Sequence, residues 1–161
     1  MPLCSVVRLE KKHDIKLARL LIEKYHAQGM KLGGTGSKIE MYYAYVCDNY
    51  ITSVAWLHGS EPFSLIAKKF SIPVDKSLFI RRATNTCPSD YLVQFLKDLA
   101  QDLKAKGYQV IWTLGSPDSR EPVYEQAGFK LLGKTSRTKH HVYALFLVGN
   151  NEEYKSERQE I

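Results

Sequence analysis

Residues 89–135 read SDYLVQFLKDLAQDLKAKGYQVIWTLGSPDSREPVYEQAGFKLLGKT and hold most of the architectural information in the chain. Leu92, Phe95, Leu96, Leu99 and Leu103 recur at spacings of three and four, which puts them on one face of a helix. Gly107 stands where a left-handed residue would end it. The spacing predicts a helix over Ser89 to Lys106, about four to five turns long. Val110-Ile111-Trp112-Thr113-Leu114 follows as a short apolar run without alternation, as expected of a strand covered on both faces. A Pro-containing loop and a short helix then lead to Tyr124-Glu125-Gln126-Ala127-Gly128-Phe129. Helix, strand, helix and strand with short links form an α/β pattern.

Working outward, Ser5 to Glu10 ends in alternation and reads as a first strand. Asp14 precedes the stripe Ile15, Ala18, Leu21, Ile22 and Tyr25, a helix that Asp14 is placed to cap, with Gly29 near its end. Lys31 to Lys38, with Gly33, Gly34 and Gly36, is a link. Met41 to Cys47 and Tyr50 to His58 form a hairpin about Asp48-Asn49, whose residue types tolerate the left-handed positions of a two-residue turn. Five aromatic residues, Tyr42, Tyr43, Tyr45, Tyr50 and Trp56, supply cross-strand packing in that pair. Ser60 to Ser77 reads as an insertion of one or two helical turns over one sheet face, before Pro73. Leu78 to Ala83 is the next strand, and Phe129 to Gly133 with His141 to Val148 is a closing pair.

This order, with the Tyr124 to Phe129 run in its place, resembles the GNAT (general-control-type N-acetyltransferase) superfamily over half to two-thirds of the chain. The resemblance implies an α/β (α+β) fold, a mixed central sheet with helices on both faces, in a single domain over residues 1–148 followed by a polar tail at 149–161. It also implies acyl-transfer chemistry from acetyl-CoA or another acyl-CoA to an amine acceptor. Pantetheine would enter between the strands Leu78 to Ala83 and Val110 to Leu114, which diverge in that family. Tyr124 would stand beside the thioester sulfur as general acid, returning a proton to the leaving thiolate; a Tyr packed on the inner face of a short helix has the same sequence signature.

The family's pyrophosphate loop falls on Thr84-Asn85-Thr86-Cys87-Pro88-Ser89, with Arg82 and Ala83 leading in, and here it has no glycine. Glycines allow backbone amides to approach an anion at a helix N-terminus, and Pro88 has no N–H at all. Side-chain donors of Asn85, Thr86 and Ser89, with charge from Arg81 or Arg82, would have to replace them. Alternatively the loop is only a helix start, with Pro88 in the first turn and Thr86, Cys87 or Ser89 as its cap. A weaker likeness to phage Mom-like DNA-modification proteins rests on Arg82, Asn85, Ser89 and Tyr25-His26. Several residues offer a base for the acceptor amine, namely His26, His58, Asp118 and Glu121, and the sequence does not choose among them.

Composition sets the outer bounds. The chain has 161 residues, is 44% hydrophobic and 25% charged, and carries a formal charge of +6, values of an ordinary folded domain with a bias toward anionic partners. No apolar run reaches the length of a membrane span, and the first residues lack a signal pattern, so the expectation is a cytoplasmic protein. Cys4, Cys47 and Cys87 are odd in number and widely spaced, which predicts no disulfide framework; Cys4 and Cys47 read as small, partly buried residues. His140-His141 lacks a second ligand cluster, so no metal site is expected. Lys130, Lys134, Arg137 and Lys139 accumulate without an intervening acid, a candidate basic rim or simply a solvated loop. Nucleic acid is therefore a further candidate partner, with a non-catalytic binding module as the competing reading.

Overall fold

The computed structural model describes residues 3–30 and 35–147. Gly33 and Gly34 of the link, Val148 and the tail at 149–161 lie outside the described residues. Seven strands form one sheet: β1 (Cys4–Leu9), β2 (Glu40–Cys47), β3 (Tyr50–Gly59), β4 (Ser77–Asn85), β5 (Val110–Gly115), β6 (Lys130–Lys134) and β7 (His141–Phe146). Their order is β1-β2-β3-β4-β5-β7-β6, and only β4 and β5 run parallel. The helices are α1 (Lys12–Tyr25), α2 (Ser64–Lys69), α3 (Leu92–Ala105) and α4 (Pro122–Gln126).

The two faces follow from the alternation of side chains along each strand. On one, Leu57, Leu78, Ile80 and Ile111 pack beneath α3 through Phe95, Leu96, Leu99 and Leu103, and beneath α4 through Tyr124. On the other, Trp56 and Val54 pack with Ala18 and Ile22 of α1, while Phe79 and Trp112 pack with Ala67 of α2. Burial of each large apolar side chain of α3 contributes about 1.5–3 kcal/mol. The insertion over Ser60 to Ser77 therefore lies on one face, as its apolar spacing implied, and is pinned there by a buried chain in which Trp112 Nε1 donates to Ser60 Oγ and Ser60 Oγ meets Ser77 Oγ at 2.7 Å.

The turn chemistry agrees with the sequence at three points. Asp48 and Asn49 both take positive φ, 50° and 70°, closing the β2–β3 hairpin. Gly107 and Gly128 end α3 and α4 at φ 96° and 99°. At each, the following amide reaches back five residues, Tyr108 N to Leu103 O and Phe129 N to Tyr124 O, which is the Schellman arrangement that favours glycine.

Three expectations are corrected. Helix α1 begins at Lys12, so Asp14 lies inside its first turn rather than capping it. Helix α3 begins at Leu92, not Ser89, and Pro88 precedes it in an exposed loop. The Tyr91 amide is bound by Asn85 Oδ1 at 3.0 Å and the Leu92 amide by Asp90 Oδ1 at 3.2 Å, so the helix is capped by these two side chains instead of Thr86, Cys87 or Ser89. Finally, Cys4 and Cys47 form a disulfide. They are direct cross-strand partners of β1 and β2 with Cα atoms 4.0 Å apart, a juxtaposition that pairing register creates and linear spacing does not reveal.

Candidate active site at the fork between two parallel strands

The β4–β5 ladder contains only three pairs, Ser77 with Val110, Leu78 with Ile111 and Phe79 with Trp112. Beyond Phe79, β4 continues through six more residues to Asn85 and β5 through three to Gly115 without pairing to each other. This divergence begins where β4 takes an irregular register. Leu57 of β3 faces Ile80 and Trp56 faces Arg82, leaving Arg81 as an extra residue. A bulge bends the bulged strand and increases its twist. At the root of the fork Thr113 Oγ1 donates to Ile80 O at 2.9 Å, replacing the ladder bond that the divergence removes.

Tyr124 stands at this root. Its side chain is buried, stacked on Tyr143 with centroids 5.5 Å apart and set edge-on to Phe129 at 5.4 Å, and it shares a hydrogen bond with Thr113. Burial, reinforced by the charge of Glu121, pushes the phenol well above the usual tyrosine range, against the opposing influence of Thr113 and Arg82. The hydroxyl therefore keeps its proton through neutral and moderately alkaline pH. Short helix α4 presents Tyr124 because Pro122 opens it and Gly128 closes it within two turns.

The Arg82 guanidinium is also felt at Tyr124, and its Nε donates to Gly29 O at 3.0 Å just after α1. Arg82 lowers the pKa of His26, adding to the larger effect of burial. Glu121 is shifted upward by burial, with His141 pulling it back. Thus Arg82, Tyr124, Thr113, Glu121 and His26 share one electrostatic neighbourhood at the fork. Of the other candidate bases, Asp118 is exposed, while His58 is completely buried on the α1–α2 face.

The remaining sequence-predicted residues form a separate group at the start of α3. Ala83 is buried beneath α3. Thr84 Oγ1 donates to Asn85 O, and Thr86 Oγ1 donates to Ile51 O, which ties the loop to β3. Asn85 accepts from Ser53 Oγ and the Tyr91 amide and donates through Nδ2 to Asp90 Oδ1. Cys87 is a free thiol whose Sγ lies 3.8 Å from Thr52 O, and Ser89 is exposed. The side-chain donors of Asn85 and Thr86 are thus already engaged by acceptors of the protein itself. Asp90, which sequence reading did not single out, brings a carboxylate to the amide end of α3; an Asx residue two positions before the first apolar helical residue was the available signal.

The basic turn between β6 and β7 lies at the same end of the sheet. His141 pairs with Gly115, and its Nδ1 is 2.6 Å from Ser116 O, so the exposed Lys134, Arg137 and Lys139 adjoin the loop that follows β5.

A mixed sheet whose single parallel pair forks beside a tyrosine on a short helix is the GNAT fold. Ribosomal-protein-S18-alanine N-acetyltransferase from Escherichia coli superposes with a TM-score of 0.61 at 12% identity, covering 93% of this chain and 97% of that one. Aminoglycoside acetyltransferase AAC(6')-Ib, solved with coenzyme A and kanamycin, gives 0.66 at 11% identity, covering 97% and 99%. In sequence, the chain is 50% identical over 147 residues to uncharacterized protein 154 of Sulfolobus islandicus rod-shaped virus 1, covering 89% of this chain and 96% of that protein, and it belongs to the family of that viral protein. No protein-family model matches it. Among the described residues no helix is long and apolar enough to cross a membrane.

Proposed function

We propose that the chain is an N-acyltransferase that takes an acyl group from acetyl-CoA or another CoA thioester and delivers it to an amine. The observation that carries this reading is the fork: the β4–β5 ladder ends after Phe79 and Trp112, and a protonated, buried phenol sits at its root. An extended arm bearing amides fits between two strand edges because their backbone groups offer hydrogen bonds along its length. The thioester supplies an activated carbonyl and a thiolate leaving group.

The protein's part is to align, exclude water and donate a proton. As the amine nitrogen bonds to the carbonyl carbon and the carbon–sulfur bond breaks, Tyr124 gives its proton to the departing sulfur. The proton shed by the nitrogen passes to water, and Tyr124 is reprotonated from solvent. The low-dielectric packing against Tyr143 and Phe129 keeps the phenol neutral before the step. Arg82, across the fork, favours the transient phenolate.

Arg82, Ala83, Thr84, Asn85, Thr86, Cys87 and Ser89 remain the proposed approach to the diphosphate, but its charge there meets Asp90. The carboxylate already accepts from the Leu92 amide and occupies the helix end where an anion is favoured. Asp90→Asn retains an acceptor for that amide and removes the charge, so it should tighten acetyl-CoA binding about two- to fivefold, the size of a charge effect at an exposed helix terminus. Ser89→Asp should weaken binding by a similar factor.

A second reading draws on the same Asp90 cap and on the basic turn of Lys134, Arg137 and Lys139: a GNAT-fold module that binds or modifies nucleic acid. Calorimetric titration of acetyl-CoA, repeated with DNA and RNA at two salt concentrations, separates the two. Acyl transfer expects saturable acetyl-CoA binding that follows the Asp90→Asn and Ser89→Asp order. A folded protein that ignores acetyl-CoA and binds nucleic acid with a steep salt dependence supports the second reading.

A further inference from the structure

Strict alternation along β4 would send Arg81 and Arg82 to opposite faces of the sheet. The bulge at Arg81 prevents this, because an extra residue re-aims the side chains around it. Both arginines consequently project to the α1–α2 face. Arg82 reaches Gly29 O beyond α1, and the Arg81 guanidinium lies 5.5 Å from the centroid of Phe63, which packs with α2.

Two adjacent guanidiniums share this face, each half-buried. Among the described residues the ion pairs within 4.0 Å involve other cations, and no carboxylate is paired with Arg81 or Arg82. Arg82 donates to two carbonyls, Gly29 O and Arg81 O. Arg81 Nε is inaccessible to solvent and has no hydrogen-bond partner. Burial and the neighbouring Arg82 both depress the pKa of Arg81. Buried charge is ordinarily paired, and a buried donor is ordinarily bonded.

One other buried side-chain atom in the described residues is orphaned, and it adjoins the same ring. His58 Nε2 has no partner, while Nδ1 lies 2.7 Å from Gly59 O. A carbonyl only accepts, so the proton sits on Nδ1 and Nε2 is a bare acceptor. Phe63 bridges the pair, with its centroid 6.2 Å from the His58 ring and 5.5 Å from Arg81 Cζ. A buried donor of a cation thus stands beside the fork on the face opposite α3, with no carboxylate paired to it among the described residues.

We propose that Arg81 binds an anionic group, carboxylate or phosphate, carried by the acceptor amine itself. The substrate class is then an amine with an acidic group a few bonds away, as in an amino acid or an aminoalkyl phosphate. Arg81 immediately follows Ile80, whose carbonyl marks the root of the fork, so a short molecule held at Arg81 presents its nitrogen to the thioester from the α1–α2 face. The identity of the bound molecule as an acyl acceptor rests on the acyl-transfer reading. The anion site rests on the bulge and the unpaired guanidinium.

The test follows the Arg81 Nε–H resonance by NMR, assigned by its loss in Arg81→Lys and Arg81→Gln. The titrants are L-alanine against ethylamine and O-phosphoethanolamine against ethanolamine, with acetate and inorganic phosphate alone. The expected result is a saturable shift with an acidic member of at least one pair, at tenfold lower concentration than its neutral partner requires. Which pair responds distinguishes carboxylate from phosphate. In parallel, thiol release from acetyl-CoA should favour the same acidic amines, and Arg81→Gln should abolish that preference. An Nε–H signal unmoved by every anion, or moved equally by neutral amines, overturns the proposal. If acetyl-CoA does not bind, the acyl-transfer reading fails, and the NMR arm still decides whether the anion site exists.

Discussion

Tyr124→Phe should leave the fold and acetyl-CoA affinity nearly unchanged while slowing acyl transfer by roughly 10²- to 10⁴-fold, the usual loss on removing a positioned general acid. The substitution keeps the ring that stacks on Tyr143 and meets Phe129, so the packing beneath α4 survives. It also orphans no donor, because the Thr113 hydroxyl donates to Ile80 O regardless. The cost in stability should be about 0.5–1.5 kcal/mol, the net worth of one intramolecular hydrogen bond. The loss belongs in turnover, since the proton is needed only as sulfur departs. A pH–rate profile sharpens the result: burial and Glu121 hold the phenol protonated, so the wild-type rate should show no fall from Tyr124 ionisation up to moderately alkaline pH. Wild-type turnover in the variant across pH would reduce Tyr124 to a packing residue.

The second large effect is on stability. Reducing the Cys4–Cys47 disulfide, or replacing both residues by Ser, should destabilise the protein by up to about 4 kcal/mol, from the chain-entropy relation for a loop spanning 43 residues. In a domain of this size that corresponds to a fall in melting temperature of roughly 8–16 °C. The bond joins edge strand β1 to β2 and encloses α1, so the loss should appear first as increased amide exchange in β1 and α1. A melt that is indifferent to reductant, or mass spectrometry finding three free thiols in the native protein, would contradict the assignment. Substitution of the free Cys87 serves as the control: it should leave the effect of reductant on the melt unchanged and take the free-thiol count from one to zero.

Local chemistry accounts for what was legible before the structure. The α3 stripe, the glycines at Gly107 and Gly128, and the Asp48-Asn49 turn are each encoded within a few residues, and all take the expected conformations. The place of Tyr124 on a short helix closed by Gly128 was legible for the same reason, whereas its neighbours Thr113 and Tyr143 come from β5 and β7. What escaped depends on register. Cys4 and Cys47 meet only because β1 pairs with β2 in one particular alignment. The bulge that turns Arg81 onto the face of Arg82 is a two-against-one pairing with β3, and nothing in Arg81-Arg82-Ala83 announces it. The late start of α3 arises from side chains, Asn85 and Asp90, reaching amides six and two residues away; a motif scan centred on glycine slots passes over such a cap.

The central claim is that the fork between β4 and β5 receives the acyl-CoA arm, and an amide-resolved NMR titration of the intact protein with acetyl-CoA tests it most directly. The predicted result is saturable perturbation of Ile80 to Asn85 and of Thr113 to Gly115, extending to Tyr124, with the paired strands β1 and β2 and the β6–β7 turn unaffected. No perturbation at millimolar acetyl-CoA, or saturable shifts confined to residues away from the fork, would contradict it.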